Sequence, residues 1–212
     1  MKQMKRTLLF LFLVSTVATF AAVDPASFGF SPDAKPEVNA AALQKALDGG
    51  KKEVRVTKPG TYLLDRTVYI DSDTRLVFEA GVVLKKATKY ANVLVNRGAF
   101  NFYANTNITV KGLNISVNNM QSVPPPDSNA PGLRGQLAFY RVNRVHVENF
   151  RCEDLGTYQY CIHFVDFSDI VVENFTILGG KDGVHLNCGK NFVVRNGYCR
   201  TDDDISYLYS VL

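Results

Sequence analysis

The sequence has few of the features that mark low-complexity or nucleic-acid-binding chains. Gly and Pro number only 15 and 8 among 212 residues, which excludes a low-complexity chain. Neither sign of charge dominates, because the formal net charge is +4 and falls to +1 without Lys2, Lys5 and Arg6. So small a balance gives no support for a nucleic-acid partner. The length and the 46% hydrophobic content are sufficient for one domain with a sizeable core.

Long apolar runs are also missing, apart from one near the N-terminus. This run extends from residue 8 to about residue 17, follows the three cations and ends in small residues. The pattern is typical of a secretory signal peptide, and the run is too short to span a bilayer comfortably. We therefore expect residues 1–22 to be a signal peptide cleaved after Ala21 or Ala22. Residues 23–212 would form the mature domain, secreted or periplasmic and without membrane attachment.

An internal repeat is the most informative feature that the sequence contains. Four segments align without gaps, each with a polar residue, alternating apolar residues and then Asn or Gly. Such alternation, rich in Val, Ile and Phe, predicts strands with one buried face. The segments are Asn107–Ile115, Arg144–Cys152, Asp169–Ile177 and Asn191–Cys199.

A second set of strands keeps the same register between these segments. Their first residues are 25, 22 and 21 positions apart, which matches the steps of 25 and 22 in the first set. The strands are Leu137–Tyr140, Ile162–Val165, Val184–Asn187 and Ile205–Leu208. Repeats of short strands and tight turns are typical of a solenoid whose coils pair edge to edge. We therefore expect an all-β fold, a right-handed parallel β-helix with coils of about 21 to 25 residues.

The predicted coils place the Asn residues and two of the four cysteines in columns. Asn149, Asn174 and Asn196 share one column, where we expect their amides to hydrogen-bond along the stack. Cys152 and Cys199 share an inward column, but two coil steps separate them by roughly 10 Å, beyond the reach of a disulfide. We expect buried thiols at these two positions. The sequence decides nothing for Cys161 and Cys188.

The first part of the chain predicts a cap and opening coils. Residues 37–48 carry apolar residues at helical spacing and end at Gly49-Gly50, so a short helix is expected to cover the open end of the stack. The Pro-rich stretch from Ser116 to Gln136 predicts a long loop beside a groove. Further strands are expected around Tyr62–Leu64, Thr67–Ile70, Leu76–Phe78 and Val82–Leu84.

The register also gathers titratable residues at one corner of the coils. It places Tyr160, Asp182 and Asp203 in one column, so the two aspartates lie on adjacent coils with backbones roughly 5 Å apart. Asp204 follows directly. Clustered carboxylates repel, so at least one is expected to be protonated beside an ionised one, the division that glycosidic hydrolysis requires. An ordinary Asp-rich turn is the alternative interpretation.

Two histidines lie near this corner in the predicted register. His163 and His185 share an outward column, where they are candidates for lining a substrate groove together with Tyr160. Histidines on a strand face are more often structural or merely exposed, and a tyrosine near a strand more often packs than binds.

The same region resembles glycoside hydrolase family 28, the polygalacturonase family. The resembling residues are Gly180-Lys181-Asp182-Gly183-Val184-His185, Asn191-Phe192-Val193-Val194-Arg195-Asn196 and Thr201-Asp202-Asp203-Asp204-Ile205. The family carries Asn-Thr-Asp-Gly on one coil and Gly-Asp-Asp on the next. The stretch from Ser31 to Lys86 is also similar to the opening region of pectinase-type β-helices.

The resemblance implies an inverting hydrolase that acts on pectin-like polysaccharide without a metal or other cofactor. Carried over by position, Asp203 is the general acid, and Asp182 and Asp204 hold and activate the water. The resemblance also leads us to expect a monomer whose partner is the polysaccharide. Gly180-Lys181 replaces Asn-Thr, however, and Asp202 replaces Gly.

The family's later His-Gly and Arg-x-Lys motifs do not occur before Leu212, so we expect the chain to be the front part of a longer enzyme. Two alternatives remain open. One is a polysaccharide lyase that holds Ca²⁺ with clustered aspartates. The other is a non-catalytic or truncated glycan-binding β-helix.

Overall fold

The computed structural model describes residues 22–50, 52–89, 92–101, 103–118, 120, 133–204 and 206–209. The expected signal peptide lies outside the described residues, except for Ala22.

The helices are α1 (Pro36–Leu47), α2 (Gly98–Asn101) and a short 3-10 helix (Pro25–Phe28). No helix among these residues is long and apolar enough to cross a bilayer. In chain order the strands are β1 (Ala22–Val23), β2 (Lys52–Val56), β3 (Gly60–Leu64), β4 (Val68–Ile70), β5 (Thr74–Phe78), β6 (Val82–Lys86), β7 (Leu94–Asn96), β8 (Asn105–Lys111), β9 (Asn114–Ser116), β10 (Leu137–Glu148), β11 (Arg151–Leu155), β12 (Ile162–Glu173), β13 (Thr176–Gly179), β14 (Val184–Arg195), β15 (Tyr198–Thr201) and β16 (Ser206–Tyr209).

The strands form two parallel sheets along one stack of coils. The larger sheet has the order β1-β2-β5-β8-β10-β12-β14-β16, with β4 paired to β7 and β7 to β10. The smaller sheet has the order β15-β13-β11-β9-β6-β3. From β8 onward the chain passes from the larger sheet to the smaller and back on each coil, and every described pairing is parallel. The fold is the predicted right-handed parallel β-helix, and the expected opening strands are β3 to β6.

The register between coils agrees with the prediction until the last step. Leu137 pairs with Ile162 and Ile162 with Val184, so both of these steps have the expected length. Val184 then pairs with Ser206 rather than with Ile205, so the last predicted step is wrong by one position. The turn between β15 and β16 is one residue longer than the apolar pattern indicated, because alternation sets which face a residue occupies but not the length of a turn.

Left-handed backbone at the coil corners explains the repeated Asn or Gly. Gly112, Asn149, Asn174 and Asn196 occupy equivalent corners, with φ of 72°, 56°, 56° and 54°. Other L-residues are strained in this conformation, whereas Gly and Asn adopt it readily. The expected ladder of amide hydrogen bonds is not formed among the described residues. The Asn149 amide instead donates to the carboxylate of the neighbouring Glu148 at 3.4 Å.

Apolar columns fill the interior of the stack. Phe139 and Phe164, on adjacent coils, stack with ring centroids 4.8 Å apart. The predicted cysteine column is confirmed, because Cys152 pairs with Ile177 and Ile177 with Cys199. All four cysteines are free thiols. Cys152 and Cys161 are buried and Cys188 is exposed. Cys199 is only half-buried, so the expected burial holds for Cys152 but not for Cys199.

Helix α1 covers the first coils, as expected, although it runs over 36–47 rather than 37–48. Leu43, Ala46 and Leu47 are fully buried against the coils. The Gln44 amide bonds both backbone groups of Tyr69 in the edge strand β4, accepting from its N–H at 2.8 Å and donating to its C=O at 3.1 Å. The helix therefore satisfies a strand edge that would otherwise be unpaired.

The expected long loop between coils is described only at its two ends, since residues 121–132 lie outside the described residues. At the first end, the Asp154 carboxylate accepts from Ser116 Oγ at 2.8 Å and from the backbone N–H groups of Val117 and Asn118. At the second end, Leu133 is buried on the outer face of β10 beside Ala138. Both ends are therefore anchored to the stack.

The corner geometry predicts opposite effects for two substitutions of Asn174. Replacing Asn174 with Ala is expected to lower the free energy of unfolding by about 1 kcal/mol, because Ala is strained at positive φ. Replacing Asn174 with Gly should leave it within about 0.5 kcal/mol of wild type. Urea denaturation of both variants measures the difference. Equal destabilisation by the two substitutions would contradict this account of the corner.

Candidate active site

A cleft lies where the chain turns from the smaller sheet back to the larger one. Its volume is about 350 Å³, and it combines residues from three successive coils. The structure thus brings the three predicted aspartates together with two other predicted site residues, Tyr160 and His185. The third, His163, is not part of the lining but is buried behind it. The cleft is lined by Tyr160, Lys181, Asp182, His185, Asn187, Asp203 and Asp204.

A glycine pair allows the chain to turn tightly before the cleft. Gly179 has φ of 148°, and a Cβ at this position would lie 2.2 Å from the carbonyl oxygen of Leu155 on the preceding coil. Gly180 is similarly close to Thr157, and its N–H donates to Leu155 at 2.9 Å. At Gly179, where the close atom belongs to the backbone, only a residue without a side chain permits this approach. The tight turn places Lys181 and Asp182 at the cleft.

Asp182 is the buried carboxylate of the site, with only 3% of its surface exposed. Its Oδ2 lies 2.5 Å from Nδ1 of His185. A carboxylate can only accept this bond, so Nδ1 carries the proton. Its Oδ1 is buried without a hydrogen bond from the described residues, and Lys181 Nζ lies 3.4 Å away. His185 thus fixes the carboxylate, and one oxygen keeps acceptor capacity.

Asp203 and Asp204 are more exposed and come from the following coil. Asp203 forms an ion pair with Lys181, and 43% of its side chain is exposed. The Asp204 backbone N–H donates to Asp203 Oδ1 at 3.1 Å. The predicted column is corrected here: the Asp204 carbonyl accepts from Gly183 N–H, which places Asp204 rather than Asp203 beside Asp182. Asp204 takes the position predicted for Asp203 because the turn between β15 and β16 is one residue longer than predicted.

His185 and Tyr160 form a stacked pair beside Asp182. Their rings lie 3.9 Å apart at an angle of 3°. One face of Tyr160, a candidate platform for a sugar ring, is therefore covered by His185. Burial lowers the pKa of His185, although its bond to Asp182 acts in the opposite direction. The stack holds the imidazole that in turn holds the Asp182 carboxylate.

His163 occupies the predicted column with His185 but is almost fully buried, with only 2% of its surface exposed. The backbone N–H of Arg134, at the returning end of the long loop, donates to its Nδ1 at 3.0 Å. Its Nε2 lies 2.9 Å from Asn187 Oδ1. Burial lowers the pKa of His163 to about 4, so the ring is neutral at pH 7.

Two cleft residues were not predicted as site residues, Lys181 and Asn187. Lys181 forms ion pairs with two of the aspartates, and Asn187 lies on β14 two residues beyond His185. The period-2 alternation that placed His185 outward also places Asn187 on the same face. For Lys181 the sequence offered only a weaker indication of a place in the cleft, namely its position next to Asp182 in a turn.

Within the described ranges, no three His, Cys, Asp or Glu side chains are arranged to hold a metal ion. The cation that lies among the carboxylates is the ammonium group of Lys181.

No family model and no curated protein matches the sequence. Solved structures do match the fold. An iota-carrageenase complexed to iota-carrageenan fragments matches with a TM-score of 0.62 and 14% identity over 91% of this chain and 45% of that one. The family 28 exopolygalacturonase of Yersinia enterocolitica matches with a TM-score of 0.61 and 16% identity over 86% and 49%.

In two further matches, the alignment covers a larger share of the matched chain. A protein of Parabacteroides merdae provisionally assigned as a glycosyl hydrolase matches with a TM-score of 0.55 and 15% identity, over 85% of this chain and 96% of that one. PfbA, a surface adhesin of Streptococcus pneumoniae, matches with a TM-score of 0.52 and 11% identity over 88% and 65%. At identities this low, the TM-scores show a shared fold and nothing more. The chain spans less than half of the carrageenase and the exopolygalacturonase.

The buried neutral His163 predicts a pH-dependent stability. Between pH 6.5 and about 4, the unfolded chain binds a proton at this residue that the folded protein does not. The free energy of unfolding should therefore fall by about 3 kcal/mol from this group as the pH drops through that window. Replacing His163 with Gln removes the titrating group, so the stability advantage of wild type over the variant should shrink by about that amount. Urea denaturation at pH 7 and pH 4 measures it, and an advantage independent of pH would contradict the assignment.

Proposed function

We propose that the protein is a glycoside hydrolase that cleaves pectin-like, galacturonan-type polysaccharide by inverting acid–base catalysis. The observation that carries the proposal is the gathering of Asp182, Asp203 and Asp204 from two successive coils around one open cleft. Grouping three carboxylates lowers the stability of the fold, because they repel one another, so a functional role is the better explanation of the group. Structural neighbours that act on polysaccharides share this fold.

In the proposed mechanism the three carboxylates divide the work of hydrolysis. Asp203, whose side chain is exposed at the cleft, first exchanges its ion pair with Lys181 for a proton. It then transfers this proton to the glycosidic oxygen as the bond to the anomeric carbon breaks. Asp182 and Asp204 hold a water on the opposite face of the sugar and take its proton as its oxygen bonds to that carbon. Asp182 Oδ1 has no hydrogen bond from the described residues but is buried, so a water reaches it only after the side chains over it move. Inversion at the anomeric carbon follows from the single displacement.

Lys181 supports hydrolysis over a calcium-dependent lyase reaction. Its ammonium group pairs with Asp203 and lies 3.4 Å from Asp182 Oδ1. A divalent ion bound by the same carboxylates would be repelled by this charge. The lysine also offsets part of the repulsion among the aspartates and provides a cation for an acidic sugar.

The role of each carboxylate can be tested by substitution. Replacing Asp203, Asp182 or Asp204 with Asn is expected to lower kcat at least about 100-fold, the usual contribution of a general acid or base. Release of reducing ends from polygalacturonan, in the presence of a chelator, measures the rate. Asp202→Asn is the matched control, since Asp202 is the adjacent acid and does not line the cleft. Unchanged rates in all three variants would contradict the proposed catalytic site.

Leaving-group chemistry separates the acid from the water-activating residues. On an aryl glycoside whose leaving group departs without protonation, Asp203→Asn should retain most of the wild-type rate, whereas Asp182→Asn should not. Proton NMR of the first product should show inverted configuration. Equal losses in both variants on this substrate would overturn the role given to Asp203.

Two other outcomes correspond to other functions. A product that absorbs in the ultraviolet, with formation abolished by the chelator, would identify a lyase. The second candidate is a non-catalytic glycan-binding protein, and a surface adhesin is among the proteins that share this fold. Glycan binding without turnover, retained when all three aspartates are replaced by Asn, would identify that function.

A further inference from the structure

Asn187 lies in the cleft with its side-chain amide held by a single neighbour. It is half-buried on β14 and lines the cleft together with the three aspartates. Its Oδ1 lies 2.9 Å from Nε2 of His163 on the preceding coil. Among the described residues, Nδ2 donates no hydrogen bond. The orientation of this amide therefore depends on which ring nitrogen of His163 carries the proton.

The backbone of the long loop decides the tautomer of His163. The Arg134 N–H donates to Nδ1 at 3.0 Å, and a backbone N–H cannot accept. Nδ1 must therefore carry a lone pair, and in the neutral ring the proton is on Nε2. A charged ring would place a second hydrogen against the Arg134 N–H. Burial opposes the charged form as well.

The tautomer in turn fixes what Asn187 presents to the cleft. An Nε2–H group donates, so the atom of Asn187 that faces it must be the amide oxygen. The amide nitrogen then points away from His163 with two N–H groups. Gly135 keeps the loop close enough for this arrangement, since a Cβ there would lie 2.7 Å from the Cβ of His163.

We propose that Asn187 is a substrate-binding residue whose amide N–H groups donate to an acceptor oxygen of the sugar next to the cleavage point, and that His163 is the positioning residue that orients this amide. The inference rests on the proposed function, since it assumes that a glycan occupies the cleft. Asn187 is two residues beyond His185, roughly 7 Å along the strand, and His185 holds Asp182, so the contact lies close to the carboxylates. The chemical class recognised is a hydroxyl or carboxylate oxygen of a pyranose.

Binding measurements on substituted cleft residues test the inference without requiring turnover. In an Asp203→Asn background, calorimetry with galacturonan oligosaccharides gives Kd directly. Asn187→Ala should raise Kd about tenfold, the loss of one hydrogen bond with its partner left unpaired. Asn187→Asp should raise Kd at least as much, because an acceptor replaces the donor. Lys190→Ala, an exposed residue of the same strand outside the cleft, is the control and should bind as wild type.

Substitutions of His163 separate positioning from structural support. His163→Leu should raise Kd about as much as Asn187→Ala, and the double variant should show little further loss. Gln retains one donor and one acceptor, so His163→Gln should bind within a few-fold of wild type. In an active background, Asn187→Ala should change KM rather than kcat. Nitrogen-15 NMR should show His163 as the neutral Nε2–H tautomer at pH 6.

Several results would overturn the inference, and one of them is distinct from failure of the proposed function. Wild-type affinity in Asn187→Ala, with binding retained in the Asp203→Asn background, would reject Asn187 alone. An Nδ1–H tautomer of His163 would also reject it. Absence of glycan binding in the wild-type protein would reject the proposed function and this inference together.

Discussion

The β-helix depends on parallel backbone pairing between each coil and the one before it. Each coil must advance along the stack by one strand spacing, with its polar backbone groups opposite those of its neighbour, or buried N–H and C=O groups are left without partners. This constraint gives the apolar columns their spacing. It also transmits the position of one coil to the next, so that a turn on one coil is stacked on a turn of the following one.

The corners meet this constraint through left-handed residues rather than through side-chain ladders. Asn149, Asn174 and Asn196 turn the backbone from the larger sheet to the smaller, and Gly112 does the same one coil earlier. Their amides contribute little cross-coil bonding among the described residues. What repeats is a backbone conformation, and Asn and Gly recur because they adopt it with little strain.

The candidate site shows how stacking creates chemistry from residues that are far apart in sequence. The carboxylates of Asp182 and Asp204 come from equivalent turns of successive coils, and Lys181 and Asp203 are paired across the same step. Behind them, Tyr160 supports His185, and His185 holds Asp182. A second chain of contacts runs from the Arg134 backbone through His163 to Asn187. Both chains cross from one coil to another, so the cleft depends on the register of the stack.

The sequence by itself determined the fold, the capping helix, the register of the central coils and the group of aspartates near one corner. These follow from alternating apolar residues and from Asn, Gly and Pro at turns, which are local signals. Only the tertiary structure decided that Asp204 rather than Asp203 lies beside Asp182, because the apolar alternation that predicts strands does not reveal how long the turn between them is. Only the structure, likewise, showed Lys181 and Asn187 in the cleft and His163 buried behind it. Hydrogen-bond partners and burial are set by neighbouring coils and by the loop that returns at Leu133, and neither can be read from spacing along the chain.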